Sequence, residues 1–491
     1  MTTQANTQGV SPAVKRAAVL AAAAGLSTWA IDMAATQVSL VSQQAALGIS
    51  VTASQWILNL TLMIVAGLVT VGGALGDRVG RLRIFRLGII LIIIGAAITF
   101  LGGLPNQFAV VLLGRALEGL GAALFLPAST ALLLDVFPMA ERGGAQGKMM
   151  VISMFVTAFA PTLIGLIIQV VAWPFAYLLT VLAALGTLWL MRKVTYEQKQ
   201  AAATPFDYAG SMLVFLAVVL LTTGIMQAGT AGLTSPAVVM MVGAGLILGL
   251  ALVLISLRKQ HPLIQFRLFQ IRSVAVGVFV SLMRFLPSVL MGAFVARYVQ
   301  QVLGLSPTVA GLLMILPVLA QVVAAPIAGR MLDRDGPRTP VSLGVLLMIA
   351  GLVLLAFGFP AHSLWLILIG SILGGAGFSF TNPVQMAALS ETPLAQRGML
   401  AGIFPLAGNF GTALWVALLT AGLGALMNSY LTNNPSATEA AAQASALGVL
   451  AWIGVAVTLV TLVVALLLRK QVEPASQPLP ASDATAPAAS K

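Results

Sequence analysis

Fourteen long apolar stretches constrain this chain more than any other feature. They run approximately over 17–40, 53–75, 84–104, 107–134, 147–170, 174–193, 208–228, 236–257, 273–302, 307–331, 340–359, 363–388, 398–428 and 446–468. A bilayer's hydrocarbon core takes about 20 residues of helix to cross. Strands with open edges leave backbone groups unpaired in lipid, so the spans are expected to be helices. Hydrophobic residues make up 59% of the 491 and charged residues 8%. A soluble domain carries about 25% charged residues, so this chain cannot coat a water-exposed surface. The expected class is an all-α membrane protein.

The charges that remain cluster between the apolar stretches. With the N-terminus on the inside, 22 of the 25 Lys and Arg fall on one membrane face. Among them are Lys15, Arg78, Arg81, Arg142, Arg192, Arg258, Arg267, Arg334 and Arg397. Arg115 and Arg284 lie inside spans, and Arg297 lies near an outer end. Basic loops stay in the cytoplasm, which predicts cytoplasmic termini in the plasma (inner) membrane of a bacterium. The net charge of +12 is therefore a topology signal and not a nucleic-acid surface. The absence of cysteine removes disulfides and thiolate metal sites. His261 and His362 are far apart in the chain, so no metal is expected. The first residues lack the basic start and cleavage site of a signal peptide.

A repeat overlies this topology. Residues 73–83 read GALGDRVGRLR and residues 329–338 read GRMLDRDGPR. A shift of 256 places Gly73 on Gly329, Asp77 on Asp333, Arg78 on Arg334 and Gly80 on Gly336. It also places Gly119 on Gly375, Gly121 on Gly377 and Pro127 on Pro383. Repeated halves with a site between them at mid-membrane are a transporter signature. The predicted division is a cytoplasmic segment 1–16, a six-helix bundle 17–193 and a linker 194–258 with two extra helices. A second six-helix bundle, 259–470, and a disordered tail, 471–491, complete it.

Several of these residues resemble the major facilitator superfamily, and within it the fourteen-helix drug:proton antiporter branch. Gly73-Ala74-Leu75-Gly76-Asp77-Arg78-Val79-Gly80-Arg81 is similar to the superfamily's signature loop. Arg115-Ala116-Leu117-Glu118-Gly119-Leu120-Gly121 resembles its fourth-helix motif. Phe206-Asp207-Tyr208-Ala209-Gly210 and Tyr298-Val299-Gln300-Gln301-Val302-Leu303-Gly304 resemble segments of the branch. Ala160-Pro161-Thr162-Leu163-Ile164-Gly165 stands at the antiporter motif, with two of its glycines replaced. The resemblance implies a major facilitator fold and proton-driven transport of a small molecule by a single chain.

Charges inside spans cost about 2.5–3.5 kcal/mol on insertion scales and so mark interior sites. Asp32 shares a helix face with Trp29, Met33 and Thr36 by spacing. It is the candidate acid for exchanging a proton against a cation, or else half of a structural ion pair. Arg115 and Glu118, three residues apart, read as a coupled relay or as a self-neutralising pair. Arg284 is expected to balance Asp32 or Glu118, the alternative being an anionic group on the substrate. Asp77, Arg78, Gly80 and Arg81 are read as one gating loop, with Gly73 at its start. Gly329, Asp333, Arg334 and Gly336 are read as its equal in the other half. Gly119 and Gly121 are expected to let helices approach closely, and Pro161 and Gly165 to bend one. Trp29, Met33 and Thr36 are expected to line the cavity. Nothing resembles a P-loop or a catalytic triad, so the chain is not expected to be an enzyme or to use a cofactor beyond the proton gradient.

The expected function is proton-coupled export of amphipathic, cationic compounds. Export of an anionic or neutral metabolite, lipid or siderophore is the alternative that Arg284 favours. A membrane sensor that moves nothing would need neither gating loop.

Overall fold

The computed structural model of the protein describes residues 11–195, 207–232, 234–259, 262–392 and 394–468. The regular elements among them are helices. The first six are α1 (Pro12–Leu47), α2 (Val51–Val79), α3 (Arg81–Gly103), α4 (Phe108–Val136), α5 (Met139–Val170) and α6 (Phe175–Met191). The extra pair is α7 (Tyr208–Ala231) and α8 (Pro236–Arg258). Then come α9 (Arg272–Gln301), α10 (Pro307–Asp335), α11 (Arg338–Gly358), α12 (Leu364–Leu389), α13 (Leu394–Asn433) and α14 (Glu439–Ala465). Thirteen are long and apolar enough to span a bilayer, and α6 is a shorter apolar helix. The fourteen apolar stretches of the sequence thus correspond one to one with helices.

Helix ends overrun the apolar stretches where the sequence caps them. Ser11 accepts a bond from the Val14 amide (3.3 Å), and Pro12 opens α1, a favourable start. The helix therefore begins inside the segment expected to be a cytoplasmic extension. It ends at Gly48, whose φ of 61° suits a residue without a Cβ. Residues 1–10 and the tail 471–491 lie outside the described residues.

Helix packing repeats between the halves, and glycines show how. In the first half α3 lies along α4. A Cβ on Gly88 would fall 2.6 Å from the Gly121 carbonyl oxygen, and one on Gly95 2.7 Å from that of Gly114. In the second half α11 lies along α12. A Cβ on Gly344 would fall 2.7 Å from Gly377 O, and one on Gly351 2.5 Å from Gly370 O. The two seams are related by the same shift of 256 residues. Gly119 faces α2, where its Cβ would meet Thr61 O at 3.0 Å. Such close approach strengthens packing where lipid supplies no hydrophobic drive.

The halves meet along α5 and α10 and along α2 and α13. A Cβ on Gly165 would lie 2.3 Å from Pro307 O, and one on Gly311 2.2 Å from Pro161 O. Gly165, expected to bend its helix, is therefore a contact between halves. At the membrane face opposite the signature loop, hydrogen bonds join them. Arg297 donates to Gln44 Oε1 (3.0 Å), Gln300 to Val38 O (3.2 Å) and Thr308 to Gln169 Oε1 (2.6 Å). Of the extra helices, α7 packs on α2 and α13, and α8 packs on α7. Leu246, Ile247, Leu250 and Leu254 leave α8 exposed and greasy, as a lipid-facing helix requires.

Candidate functional site

Asp32 on α1 and Arg115 and Glu118 on α4 form one cluster, each fully buried. Arg115 Nη1 donates to Asp32 Oδ1 (3.0 Å), to Asp32 Oδ2 (3.1 Å) and to Glu118 Oε2. Its Nε donates to the Ile57 carbonyl of α2 (3.0 Å). Thr99 of α3 donates to Glu118 Oε1 (3.1 Å). Thr61 of α2 donates to the Arg115 carbonyl (3.0 Å). The Tyr177 ring of α6 lies 5.6 Å from the Arg115 guanidinium carbon, within cation–π range. Five helices of one half, α1, α2, α3, α4 and α6, supply these groups, and the other half supplies none of them. Beyond Tyr177, a polar chain continues. Gln43 donates to Tyr177 Oη (2.8 Å), and Tyr177 donates to Thr36 Oγ1 (3.3 Å).

The seam glycines make this room. A Cβ on Gly95 would lie 2.8 Å from Glu118 Cγ, so only glycine there admits the acid. Two carboxylates surround one guanidinium. The cluster balances only by holding one more positive charge, and a proton is the smallest candidate. Arg115 Nη2 is buried without a partner, which leaves a donor for water or for a shifted carboxylate.

Arg284 does not join the cluster, contrary to expectation. Its Nη1 donates to Asn382 Oδ1 (2.6 Å) and Thr381 Oγ1 (3.3 Å) of α12. Its guanidinium carbon lies 4.4 Å from the Phe378 ring centre and 5.4 Å from that of Phe285. The counter-ion role fails because Arg115 already takes both carboxylates, one of them from its own helix. Thr36 is another correction. It is fully buried, donates to Asp32 O (3.0 Å) and meets Tyr177, so it lines no cavity. Trp29 and Met33 are half-buried against the apolar cores.

The two signature loops differ. Gly80 has φ 117° and Gly336 φ 73°, so both turns use glycine's freedom. In the first loop Arg81 binds Asp77 (2.9 Å), Asp135 at the end of α4 (2.6 Å) and Ala131 O (3.1 Å). Arg78 donates to the Tyr208 hydroxyl of α7 (3.1 Å). In the second, Asp333 and Arg334 are exposed, and Arg334 lies 3.8 Å from its neighbour Asp335. Equal gates were expected. The shift of 256 puts Pro337 where Arg81 stands, so the second loop has no cation at that position, although Glu391 matches Asp135.

Asp207 is a polar hub that motif reading alone did not single out. It caps α7 through Gly210 N (2.8 Å), accepts from Leu263 N (3.1 Å) and pairs with Lys259. Burial would push its carboxyl up, but the bonds from Lys259, Gly210 and Leu263 outweigh that and hold it below the ordinary value. Its signal in the sequence was an Asp directly before an apolar stretch, a helix-start pattern.

A half with a buried charge cluster, a repeated partner and a seam between them define a transporter. The chain belongs to the Major Facilitator Superfamily, whose family profile matches residues 17–296 and 273–490. It is similar to the drug efflux pump JefA of Mycobacterium tuberculosis, 30% identical over 431 residues, covering 84% of this chain and 82% of that one. It is also similar to the multidrug resistance protein Stp of the same organism, 28% identical over 418 residues, covering 84% and 76%. The riboflavin transporter RibZ of Clostridioides difficile is 25% identical over 381 residues, covering 75% and 80%. A crystal structure of a D-xylose–proton symporter superimposes with TM-score 0.63 at 16% identity, covering 91% of this chain and 97% of that one. At that identity the likeness shows the fold alone. Fourteen helices and efflux relatives agree with the fourteen-helix branch that the sequence resembles.

Proposed function

We propose that the protein exports amphipathic compounds in exchange for protons, with Asp32, Arg115 and Glu118 as the proton-carrying centre. The observation that carries this reading is the buried excess of one carboxylate over one guanidinium. Protonated, the cluster is neutral and stable in a dry bundle. Deprotonated, it holds a surplus negative charge that draws water or a cation toward it. In the state described, the cluster is sealed, so substrate acts on it through helix movement and not by touching Asp32. A cationic substrate suits the surplus charge. The inward gradient supplies about 2.3 kcal/mol per charge per 100 mV. The charge bias of the loops supports cytoplasmic termini in a bacterial plasma membrane. The sealing bonds at the opposite face support an inward-directed state.

Export of an anionic or neutral metabolite is the second reading. Arg284 favours it, because a guanidinium without a carboxylate partner among the described residues can take one from a substrate.

Purified protein in sealed vesicles, with an imposed pH gradient, tests both. A fluorescent cation and a fluorescent carboxylate are followed together with internal pH. Cation movement coupled to proton flux, lost in Asp32→Asn and Glu118→Gln, is the expected result. Carboxylate movement lost in Arg284→Gln would establish the second reading instead. Gradient-driven movement undiminished in both acid variants removes the proposed centre.

A further inference from the structure

The extra helices enclose a cavity that the transport reading does not use. It has a volume of about 340 Å³ and lies between α7, α8, α9 and α13. Val214, Leu221, Leu252, Val278, Leu282 and Phe410 line it, and its whole lining is apolar. No residue of α1 or α4 contributes, so it is separate from the charge cluster. Leu282 lies ten residues beyond Arg272, the start of α9. At 1.5 Å per residue the cavity reaches about 15 Å into the membrane. That is roughly half of a 30 Å hydrocarbon core, the depth of one leaflet.

A second cavity of about 540 Å³ adjoins it, and Phe266 lines both. Its walls carry Arg258, Lys259, Arg267, Ser256 and Gln265. Lys259 is committed to Asp207. Arg258 and Arg267 are exposed and pair with no carboxylate among the described residues. The mouth therefore presents two uncompensated guanidinium groups at the basic membrane face, directly above an oily slot.

We propose that this site holds an anionic glycerophospholipid, one acyl chain in the slot and its phosphate on Arg258 and Arg267. The chemistry fits on both counts. A water-filled slot with no polar wall is unfavourable, and lipid acyl chain is the apolar material in reach. Basic clefts between spanning helices at this face recruit anionic headgroups. Bound lipid would reinforce the contact of α7 and α8 with the second half, which α7 makes on α13 and α8 on residues 266–270. Gly249 on α8 borders the slot and has open space where a Cβ would stand, so a side chain there enters the slot without displacing backbone.

Native mass spectrometry of the full-length protein, stripped of lipid and titrated, tests this. The probes are phosphatidylglycerol and phosphatidylcholine with identical acyl chains, and inorganic phosphate. Two guanidinium groups favour phosphatidylglycerol by about thirtyfold in half-saturating concentration. Arg258→Gln with Arg267→Gln removes that preference while leaving weak binding of both lipids. Gly249→Phe abolishes retention of both. Gly243→Phe, another α8 position with open space and outside the slot, leaves retention unchanged and controls for folding. Equal retention of the two lipids by the native protein overturns the proposal, as does undiminished retention in Gly249→Phe. Displacement of phosphatidylglycerol by inorganic phosphate at equal concentration would also overturn it, in favour of a soluble anion.

Discussion

The two halves share a backbone and differ in chemistry. The glycine seam of α3 on α4 recurs in α11 on α12, carbonyl for carbonyl. The charged residues inside the spans do not recur. The shift of 256 that superimposes the seams carries Asp32, Arg115 and Glu118 onto Ser288, Ser371 and Gly374. Ser371 turns to its own helix and donates to Ile367 O (2.8 Å). The space of Glu118 is taken in the second half by Met291, whose sulfur lies 1.9 Å from where a Gly374 Cβ would stand. A thioether fills an irregular gap well. In the other direction, Arg284 falls on Thr28, which meets Thr187 at 3.1 Å. Duplication therefore preserved the scaffold, while one half carries a buried carboxylate pair and the other the guanidinium groups of Arg284 and Arg297. The proposed proton-carrying centre therefore belongs to one half only.

The largest effect is expected at the centre of this contrast. Arg115→Met strips two buried carboxylates of their counter-charge and should cost about 3–5 kcal/mol. Arg284→Met removes a cation that balances no acid and should leave the thermal midpoint unchanged or raised. Equal loss in the two variants, read by thermal melting in detergent, would break the comparison. The seams should behave alike. Gly121→Val and Gly377→Val each drive a side chain at a facing carbonyl oxygen 2.5 Å away, and each should destabilise by about 1–3 kcal/mol. Gly147→Val, in open space, should cost less than either.

Smaller effects separate the loops. Arg81→Ala removes half-exposed bonds to Asp77 and Asp135 and should cost about 0.5–1 kcal/mol. Arg334→Ala should show no measurable change in the same melts. Asp207 gives the smallest and most conditional effect. Its folded value is depressed, so its contribution is complete above the ordinary carboxylate value of about 4. It is lost as pH falls through the lower folded value. The gap in melting temperature between the native protein and Asp207→Asn should therefore be steady at neutral pH and close only below about pH 4.

The helices were legible because a span is written in consecutive residues. Counting apolar stretches needs no knowledge of partners, and even the short α6 stood out. Arg115 and Glu118 were legible as a pair for the same reason, being three residues apart on one helix. The partner of Asp32 was not. Choosing between Arg115 and Arg284 requires knowing which faces of α1, α4 and α9 look at one another. A lipid-embedded helix is apolar on nearly every side, so its sequence carries little record of its inward face. Tyr177, Thr99 and Gln43 went unnoticed on that account, although a Gln or Tyr deep in an apolar stretch is itself a signal. The unequal loops were hidden differently. Asp77 and Asp333 match in sequence, but Arg81 falls on Pro337 under the shift, and its partner Asp135 lies outside the motif at the end of α4.

The proposed exchange requires Asp32 and Glu118 to share one exchangeable proton. Purified protein in weakly buffered detergent, mixed with an amphipathic cation and a pH indicator, measures this without vesicles or a gradient. About one proton released per native molecule at saturation is the predicted result, with none from Asp32→Asn/Glu118→Gln. Full release from that double variant would contradict it.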